Sequence, residues 1–594
     1  MSRITDRTRR VLGGIAVLAL ATVSCTMPAP PSSTQMVAPR ELSADGSAVL
    51  PVELETGTVA TKNGMVVSAS SIASAIGRDV LVAGGNAIDA AIATGFALAV
   101  THPTAGNIGG GGFMVIRFAD GRTTAFDFRE KAPASAHPEM FLDEAGEYSS
   151  TIHHNSHIAV GVPGTVAGFA KAHATYGTGE WSRLVEPAVG LARNGFTVSP
   201  GLSRSLAGVL PRMEQYPASV AAFSKSGTPY EAGETLRQVD LANSLERIMR
   251  QGHDGFYRGE TARLIAQEMR RGGGLITEAD LAAYESKERT PIHGTYRGYD
   301  IIGMPPPSSG GIALVEMLNI LEGYDLAAMG ELSPAYVHHV VEAMRRAYRD
   351  RARWSADGDF ADVPIELMTS KEYAAEQRAT ISADRATASA VTDIELPAES
   401  PLTTHYSVVD ASGMAVAVTY TLEAGYGSKI VVHGGGFLLN NEMGDFNAAP
   451  GMTTESGLIG TDNNLARPGQ RMLSSMTPTI LAKDGNVVAV IGSPGGRTII
   501  NTVLGVVLNI VDFRKGIEAA VAAPRMHHQW LPDRVTIEEG GISDDAVRAL
   551  EAIGHNVRVA GRQGAANSIM VDPATGERIG APDARATDAG AAGH

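Results

Sequence analysis

Two periodicities of apolar and polar residues divide the chain. From Met65, MVVSASSIASAIGRDVLVAGGNAIDAAIATGFALAVTHP opens as a short apolar strand, then repeats apolar and small residues at three- and four-residue spacing around Gly84-Gly85. That pattern predicts a strand and two helices, the second ending before His102-Pro103. Past the glycine run Gly109 to Gly112 the period becomes two: FMVIRF, a turn at Asp120-Gly121, and TTAFDFRE predict a hairpin. Between about 180 and 390 helical spacing returns in LANSLERIMRQG, GETARLIAQEMRRGGG and PAYVHHVVEAMRRAYRDRARW, and Thr277-Glu278-Ala279-Asp280 reads as a helix cap. After Thr403 alternation dominates, with strands expected at 404–410, 414–422, 430–440, 479–483 and 487–492, and helices at about 497–515 and 543–553. Asp583 to His594, rich in Ala, Gly and Asp, is expected to fray. Strands joined by tight turns rather than by helices favour antiparallel sheets with helices packed on them, an α+β class.

Bulk properties narrow the chemistry. The chain has 594 residues, 44% hydrophobic and 19% charged, ample for a large core. A net charge of −15 supplies no basic footprint for nucleic acid and no polybasic membrane patch. Small molecules or peptides are the better partners. Arg3, Arg7, Arg9 and Arg10 precede an apolar run from Val11 to Val23, the layout of an export signal over residues 1–25. The single cysteine, Cys25, ends that run, where a bacterial lipoprotein would carry its lipid anchor; ordinary cleavage is the alternative. Residues 26–60, rich in Pro, Ser, Thr and Ala, read as a flexible linker, with order beginning near Gly64.

The chemistry concentrates at PLTTHYSVVDASGMAVAVTYTLE, where an irregular spacer meets a strand. A hairpin loop at Ala411-Ser412-Gly413 sets Thr403 opposite Thr421. Alternation then puts Thr403, His405 and Ser407 on one face of their strand, and Thr419, Thr421 and Glu423 on one face of the next. Such a polar surface is either a solvated hairpin face or a reactive one. In the second case Thr403 is a nucleophile, which a threonine becomes most readily at a chain start, where its own α-amine, with a pKa near 8, serves as base. That requires cleavage between Leu402 and Thr403.

The segments PLTTHYSVVD, NNEMGDFN, RMLSSMTP and GSPGGRTI, in this order, resemble the γ-glutamyltranspeptidase family of N-terminal-nucleophile hydrolases. AGGNAIDAAIA, NIGGGGFMVI, DFREKAP, GVPGTVAGF and PPPSSGGIAL extend the likeness over nearly the whole mature chain. The resemblance implies an αββα sandwich, two stacked antiparallel sheets between helical layers. It implies self-cleavage into a large subunit, 61–402, and a small subunit, 403–594, intertwined in one globular unit. It also implies an enzyme acting on glutathione and related γ-glutamyl compounds, with water, amino acids or peptides as acceptors, which the signal-like N-terminus makes an exported one, periplasmic or lipid-anchored. No cofactor and no metal is implied.

Carried onto this sequence, the family pattern makes Thr403 the nucleophile and Thr421 the partner of its hydroxyl. Gly495 and Gly496, between a strand and a helix, would turn their N–H groups toward an oxyanion. Arg129 offers a planar fork to the substrate α-carboxylate, with Ser474 and Ser475 adding hydroxyls; alone, Arg129 would read as a surface ion pair with Glu130 or Asp127. Glu442 and Asp445 would take the α-ammonium. His405 reads as structural, and His153, His154 and His157 as an ordinary loop rather than a metal cluster. The glycine run at 109–112 lacks the lysine of a phosphate loop.

Two positions depart from the common pattern. Glu423 stands where many relatives carry Asn, and Ser456 where many bacterial ones carry a lid tyrosine within a lid at about 447–470. The latch between those two groups is absent, so a more open acceptor side is expected. Glu423 would join Glu442 and Asp445 in a triad of acids whose mutual repulsion raises one pKa. A cephalosporin (glutaryl) acylase, a γ-polyglutamate-processing enzyme and a cleavage-dead exported binding protein are the competing readings.

Overall fold

Alternation along the central strands sends neighbouring side chains to two different partners. In the strand Gly111–Arg117, Phe113 and Val115 meet Ile302, Ile480 and Val490 of a second sheet. Met114 and Ile116 of the same strand face the other way, onto Ile92, Phe96 and Phe169 of helices. The second sheet repeats the arrangement: Leu481 and Ile491 turn outward onto Leu314, Val341 and Val503 of another helical layer. A helix–sheet–sheet–helix sandwich results, as the family resemblance implies.

The computed structural model describes residues 57–390, 403–452, 454 and 460–594. One seven-stranded sheet runs, in spatial order, Val59–Thr61, Arg578–Ala581, Ser568–Val571, Asn486–Ile491, Thr479–Lys483, Tyr299–Gly303 and Ile292–Tyr296. The other runs Gly590–Gly593, Met65–Ser68, Thr404–Val409, Ala415–Thr421, Gly111–Arg117, Thr123–Phe128 and Lys287–Arg289. Every pairing within these two sheets is antiparallel. Both sheets draw strands from each side of residues 391–402.

The helices begin where their capping residues stand. The Ser70 side chain accepts from Ala73 N at the start of Ser71–Val82, and Asn86 closes a capping box with Asp89 at the start of Ala87–Thr101. Thr277 and Asp280 form a second capping box, as their spacing predicts. The helix Pro334–Trp354 covers the whole predicted segment. Ala87–Thr101 is buried on every side, and its small residues let it lie between the sheet and the outer helices.

Three expectations are corrected. Order begins earlier than Gly64, because Val59–Thr61 pairs with Arg578–Ala581 at a sheet edge. Residues 430–440 are not a strand: Gly434 and Gly436 hold φ of 71° and 74°, and only the bridge between Val431 and Leu438 remains. The C-terminus does not fray. Gly590–Gly593 pairs residue for residue with Met65–Ser68, and Asp583, 1% exposed, forms an ion pair with Arg525. Cys25, the export signal, residues 391–402 and Ser456 lie outside the described residues.

Candidate active site

The hairpin folds in the predicted register. Gly413 takes φ of 89° in its turn, Thr404 pairs with Tyr420, and one step further Thr403 stands opposite Thr421. The Thr403 hydroxyl donates to Thr421 Oγ1 at 3.4 Å, and the Glu423 N–H donates to the same oxygen at 2.8 Å. Asn107 Nδ2 donates to the Thr421 carbonyl at 2.9 Å, anchoring that strand end to the glycine run.

The polar face of this hairpin is not solvated; it lies between the two sheets. His405 is fully buried there, its ring nitrogens 2.9 Å from Thr419 Oγ1 and 3.0 Å from Ser407 Oγ. Burial takes its pKa down to about 3, so it stays neutral. Thr404 points to the opposite face, its hydroxyl buried with no hydrogen-bond partner among the described residues. Of the paired threonines only Thr403 reaches the cleft.

That cleft is bounded by Arg129, Thr403, Thr421, Glu423, Glu442, Asp445, Ser474, Ser475, Met476, Gly496 and Ile499. Every site residue expected from sequence except Gly495 lines it. Gly495 sits one residue behind, with φ of 136° against 56° for Gly496, in the loop joining the strand Asn486–Ile491 to the helix Thr498–Val511. The Gly495 carbonyl accepts from Thr498 N at 3.1 Å and Thr498 Oγ1 at 2.8 Å. These bonds hold the loop in a conformation that residues with a Cβ rarely adopt.

Arg129 is 1% exposed and carries no surface ion pair. Its Nη1 donates to Glu442 Oε1 and its Nη2 to Asp445 Oδ2, while Nε and Nη2 also donate to the carbonyls of Met472 at 3.3 Å and Leu473 at 3.0 Å. The groups expected to recognise opposite charges are therefore paired with each other. Its backbone N–H donates to Asp127 Oδ1 at 3.0 Å, and Asp127 also takes Arg289 at 2.8 Å.

A further acid stands behind this pair. Glu130 is fully buried, 3.8 Å from Arg129 Nη1, and neither carboxylate oxygen has a hydrogen-bond partner among the described residues. Burial pushes its pKa up to about 7, against the pull of Arg129. Glu442 is also raised well above the usual range, first by burial and then by Glu130, Asp445 and Glu423, with Arg129 opposing. The expected repulsion among acids is present, but desolvation is its larger companion.

Glu423 sits at φ of 76°, its Oε2 accepting from Asn441 Nδ2 and its Oε1 3.8 Å from His154 Nδ1. On the other wall Ser475 Oγ accepts from Arg351 Nη2 at 2.9 Å, and Arg351 Nε donates to Ser309 Oγ at 2.8 Å. The Ser309 hydroxyl donates to the Ser474 carbonyl at 2.8 Å. The sequence does not single out Arg351 or Asn441, and His154 reads there only as part of an ordinary loop. Arg351 lies in the charged run MRRAYRDRAR, a texture that resembles a solvated face, yet it is 2% exposed. The PPPSSGG motif that supplies Ser309 was the available signal.

The three histidines at 153, 154 and 157 do not converge: His153 meets Tyr148 Oη at 3.1 Å and His157 meets Glu268 at 3.3 Å. Among the described residues, the group with metal-ligand proximity is His338, Glu342 and His555. There Glu342 is already paired with Arg345 and Arg346, and the two imidazoles share a hydrogen bond of 2.8 Å. Two guanidinium groups on the only carboxylate suit a hydrogen-bonded cluster better than a cation site.

The sequence profile described as Gamma-glutamyltranspeptidase matches residues 73–593. A glutathione hydrolase proenzyme of Escherichia coli (strain K12) is 50% identical over 542 residues, covering 90% of this chain and 93% of that one. Among solved structures, cephalosporin acylase from Bacillus halodurans superposes with a TM-score of 0.80 at 28% identity, over 93% of this chain and 99% of its own. Helicobacter pylori gamma-glutamyltranspeptidase matches with a TM-score of 0.53 at 47% identity, over 53% of this chain and 91% of that chain.

Proposed function

The chain belongs to the γ-glutamyltranspeptidase family, and on that premise we propose that Thr403 is the nucleophile of a self-processed γ-glutamyl hydrolase and transferase. In the precursor the Thr403 hydroxyl attacks the Leu402 carbonyl. The C–N bond breaks in favour of an ester, and water then releases Thr403 as a new N-terminus. In the mature enzyme the freed α-amine takes the hydroxyl proton while Oγ1 attacks the γ-carbonyl of a γ-glutamyl compound such as glutathione. The oxyanion is held by N–H groups of Gly495 and Gly496. The leaving amine departs with the proton from the Thr403 ammonium, giving a γ-glutamyl ester. Water, an amino acid or a peptide then gives up a proton to the amine and attacks that ester, releasing glutamate or a new γ-glutamyl product.

Binding exchanges one set of ion pairs for another. The substrate α-carboxylate takes Arg129 and the hydroxyls of Ser474 and Ser475, while its α-ammonium takes Glu442, Asp445 and Glu423. The cleft's net charge is unchanged, because a zwitterion replaces contacts that the buried groups otherwise make with each other. The convergence of Thr403, Thr421 and Arg129 on one cleft carries this reading. Intact mass and glutamate release test it: two chains, the smaller beginning at Thr403, and glutamate from glutathione are expected. A single uncut chain in active protein would overturn it.

The acylase likeness supports a second reading, a glutaryl acylase. Glutaryl lacks the α-ammonium, so the acids around Arg129 favour the γ-glutamyl donor. Equal turnover of glutaryl- and γ-glutamyl-p-nitroanilide would remove that preference, and faster turnover of the glutaryl compound would reverse it. Export follows from the signal-like residues 1–25, with Cys25 as a lipid anchor or part of a discarded leader; no described helix is long and apolar enough to cross a membrane.

A further inference from the structure

Behind the two serines of the cleft stands a buried cation that the reaction above does not use. Arg351 lies in the last turn of the helix Pro334–Trp354. It is not among the residues that bound the cleft, yet one edge of its guanidinium is joined to two serine hydroxyls. Nε donates to Ser309 Oγ at 2.8 Å, and Nη2 donates to Ser475 Oγ at 2.9 Å. Ser309 in turn donates to the Ser474 carbonyl twice, from its hydroxyl at 2.8 Å and from its backbone N–H at 2.9 Å. Arg351 therefore holds Ser475 directly and Ser474 through one intermediary.

These bonds set a polarity. A guanidinium can only donate, so a hydroxyl that meets one presents its oxygen there and turns its own hydrogen elsewhere. Ser475 is held in that way by Arg351. Ser474 Oγ is held in the same sense by the Met476 N–H, which donates to it at 3.1 Å. Both serines line the cleft. A carboxylate can only accept, so it needs hydroxyls that arrive as donors. The donor behind Ser474 is backbone, whereas the donor behind Ser475 is a side chain that substitution can remove. An arginine suits the place because two N–H groups along one edge reach two oxygens at once, which a lysine ammonium does not reproduce.

Resting on the γ-glutamyl reading, we infer that Arg351 is a positioning residue for substrate recognition: its guanidinium fixes Ser475 as a hydrogen-bond donor to the substrate α-carboxylate. Arg351 touches neither the substrate nor the reacting atoms. The α-carboxylate lies at the far end of the γ-glutamyl group from the carbonyl that Thr403 attacks. Its contacts are shared by the ground state and the transition state, so their loss appears in KM rather than in kcat. The same helix also reaches the oxyanion loop, where Tyr348 Oη donates to the carbonyl of Arg497, the residue after Gly496. A general disturbance of the helix would therefore lower kcat as well, which separates a merely structural role from a positioning one.

The test is a double-mutant cycle on processed enzyme with γ-glutamyl-p-nitroanilide. Arg351→Met is expected to raise KM about tenfold, the share of one charge-assisted hydrogen bond, with kcat within about twofold of wild type. In a Ser475→Ala background the same substitution should change KM by less than about twofold, because the hydroxyl it orients is gone. Arg351→Lys, which keeps the charge but not the fork, should fall between wild type and Arg351→Met. An Arg351→Met enzyme with wild-type KM, a loss carried by kcat, or a loss of equal size with and without Ser475 overturns the inference. Should Arg351→Met not fold, Arg351→Lys with and without Ser475→Ala decides it by the same comparison. Failure of wild type to hydrolyse γ-glutamyl-p-nitroanilide would instead overturn the γ-glutamyl reading itself.

Discussion

The hydroxyl of Thr403 donates to the hydroxyl of Thr421 across facing strands, at 3.4 Å, and the Thr421 oxygen is fixed by the Glu423 N–H at 2.8 Å. One backbone donor thus orients the group that orients the candidate nucleophile. The strand pair sets the spacing, and the left-handed Glu423 turns its N–H back onto the strand it has just left.

Removing either hydroxyl should have separable effects. Thr403→Ala is expected to remain one chain and to release no glutamate from glutathione. Thr421→Val keeps the nucleophile and the shape but removes its partner, so processing should slow and kcat fall on the order of 100-fold. Denaturing gels over time and initial rates check both; a Thr421→Val enzyme with wild-type rates would remove Thr421 from the mechanism.

Arg129 is expected to matter to the fold as well as to binding. Arg129→Met leaves Glu442 and Asp445 facing each other without a cation, and urea unfolding at pH 7.5 should show a loss of about 3–5 kcal/mol. Adding Glu442→Gln and Asp445→Asn should recover most of that stability and none of the glutathione turnover. Recovery of turnover would show that the cluster is structural only.

Glu130 gives stability a downward slope with pH. Its folded pKa, about 7, lies above the ordinary value of 4.5. Between those values the folded state holds a proton that the unfolded chain has released, so stability falls as pH rises and levels off above pH 7. The full effect is on the order of 3 kcal/mol. Glu130→Gln should flatten the urea midpoint over pH 5 to 7, and an unchanged slope would assign the titration elsewhere.

His405 acts in the opposite direction. Its folded pKa, about 3, lies below the unfolded value of 6.5. The unfolded chain binds a proton that the sandwich interior refuses, so its contribution is intact above pH 6.5 and is lost as pH falls, by about 2 kcal/mol at pH 5. His405→Asn is expected to be less stable than wild type at pH 8 but to show a shallower decline from pH 6.5 to 5. An equal decline would mean that His405 is not the residue titrating.

Much of this site was legible because local rules agreed with tertiary ones. Gly413 fixed the turn, the turn fixed the register, and the register put Thr403 opposite Thr421. What escaped depended on contacts distant in sequence. Gly590–Gly593 carries no β-branched pattern, and its strand exists because Met65–Ser68 offers a row of backbone partners. The β-branched run Ile430, Val431 and Val432 suggested a strand, but the left-handed glycines that follow fold the segment back. Arg345, Arg346 and Arg351 lie in a highly charged run of one helix, yet all three are buried because acids and hydroxyls receive them. The family likeness supplied the candidate recognition residues as a set; the pairing of Arg129 with Glu442 and Asp445 depends on contacts distant in sequence.

The mixed parentage of the sheets has a consequence for the cut chain. Val59–Thr61 lies beside Arg578–Ala581, and Thr404–Val409 lies between Met65–Ser68 and Ala415–Thr421, so neither piece holds a complete sheet. Two polypeptides produced by opening the bond before Thr403 would be laced together, each supplying strands the other needs. They could exchange partners only by unfolding altogether, so dilution would not separate them. The uncut precursor would then be the only form in which assembly is unimolecular, and the quaternary structure of the cut enzyme would be a record of how it folded rather than an equilibrium it maintains.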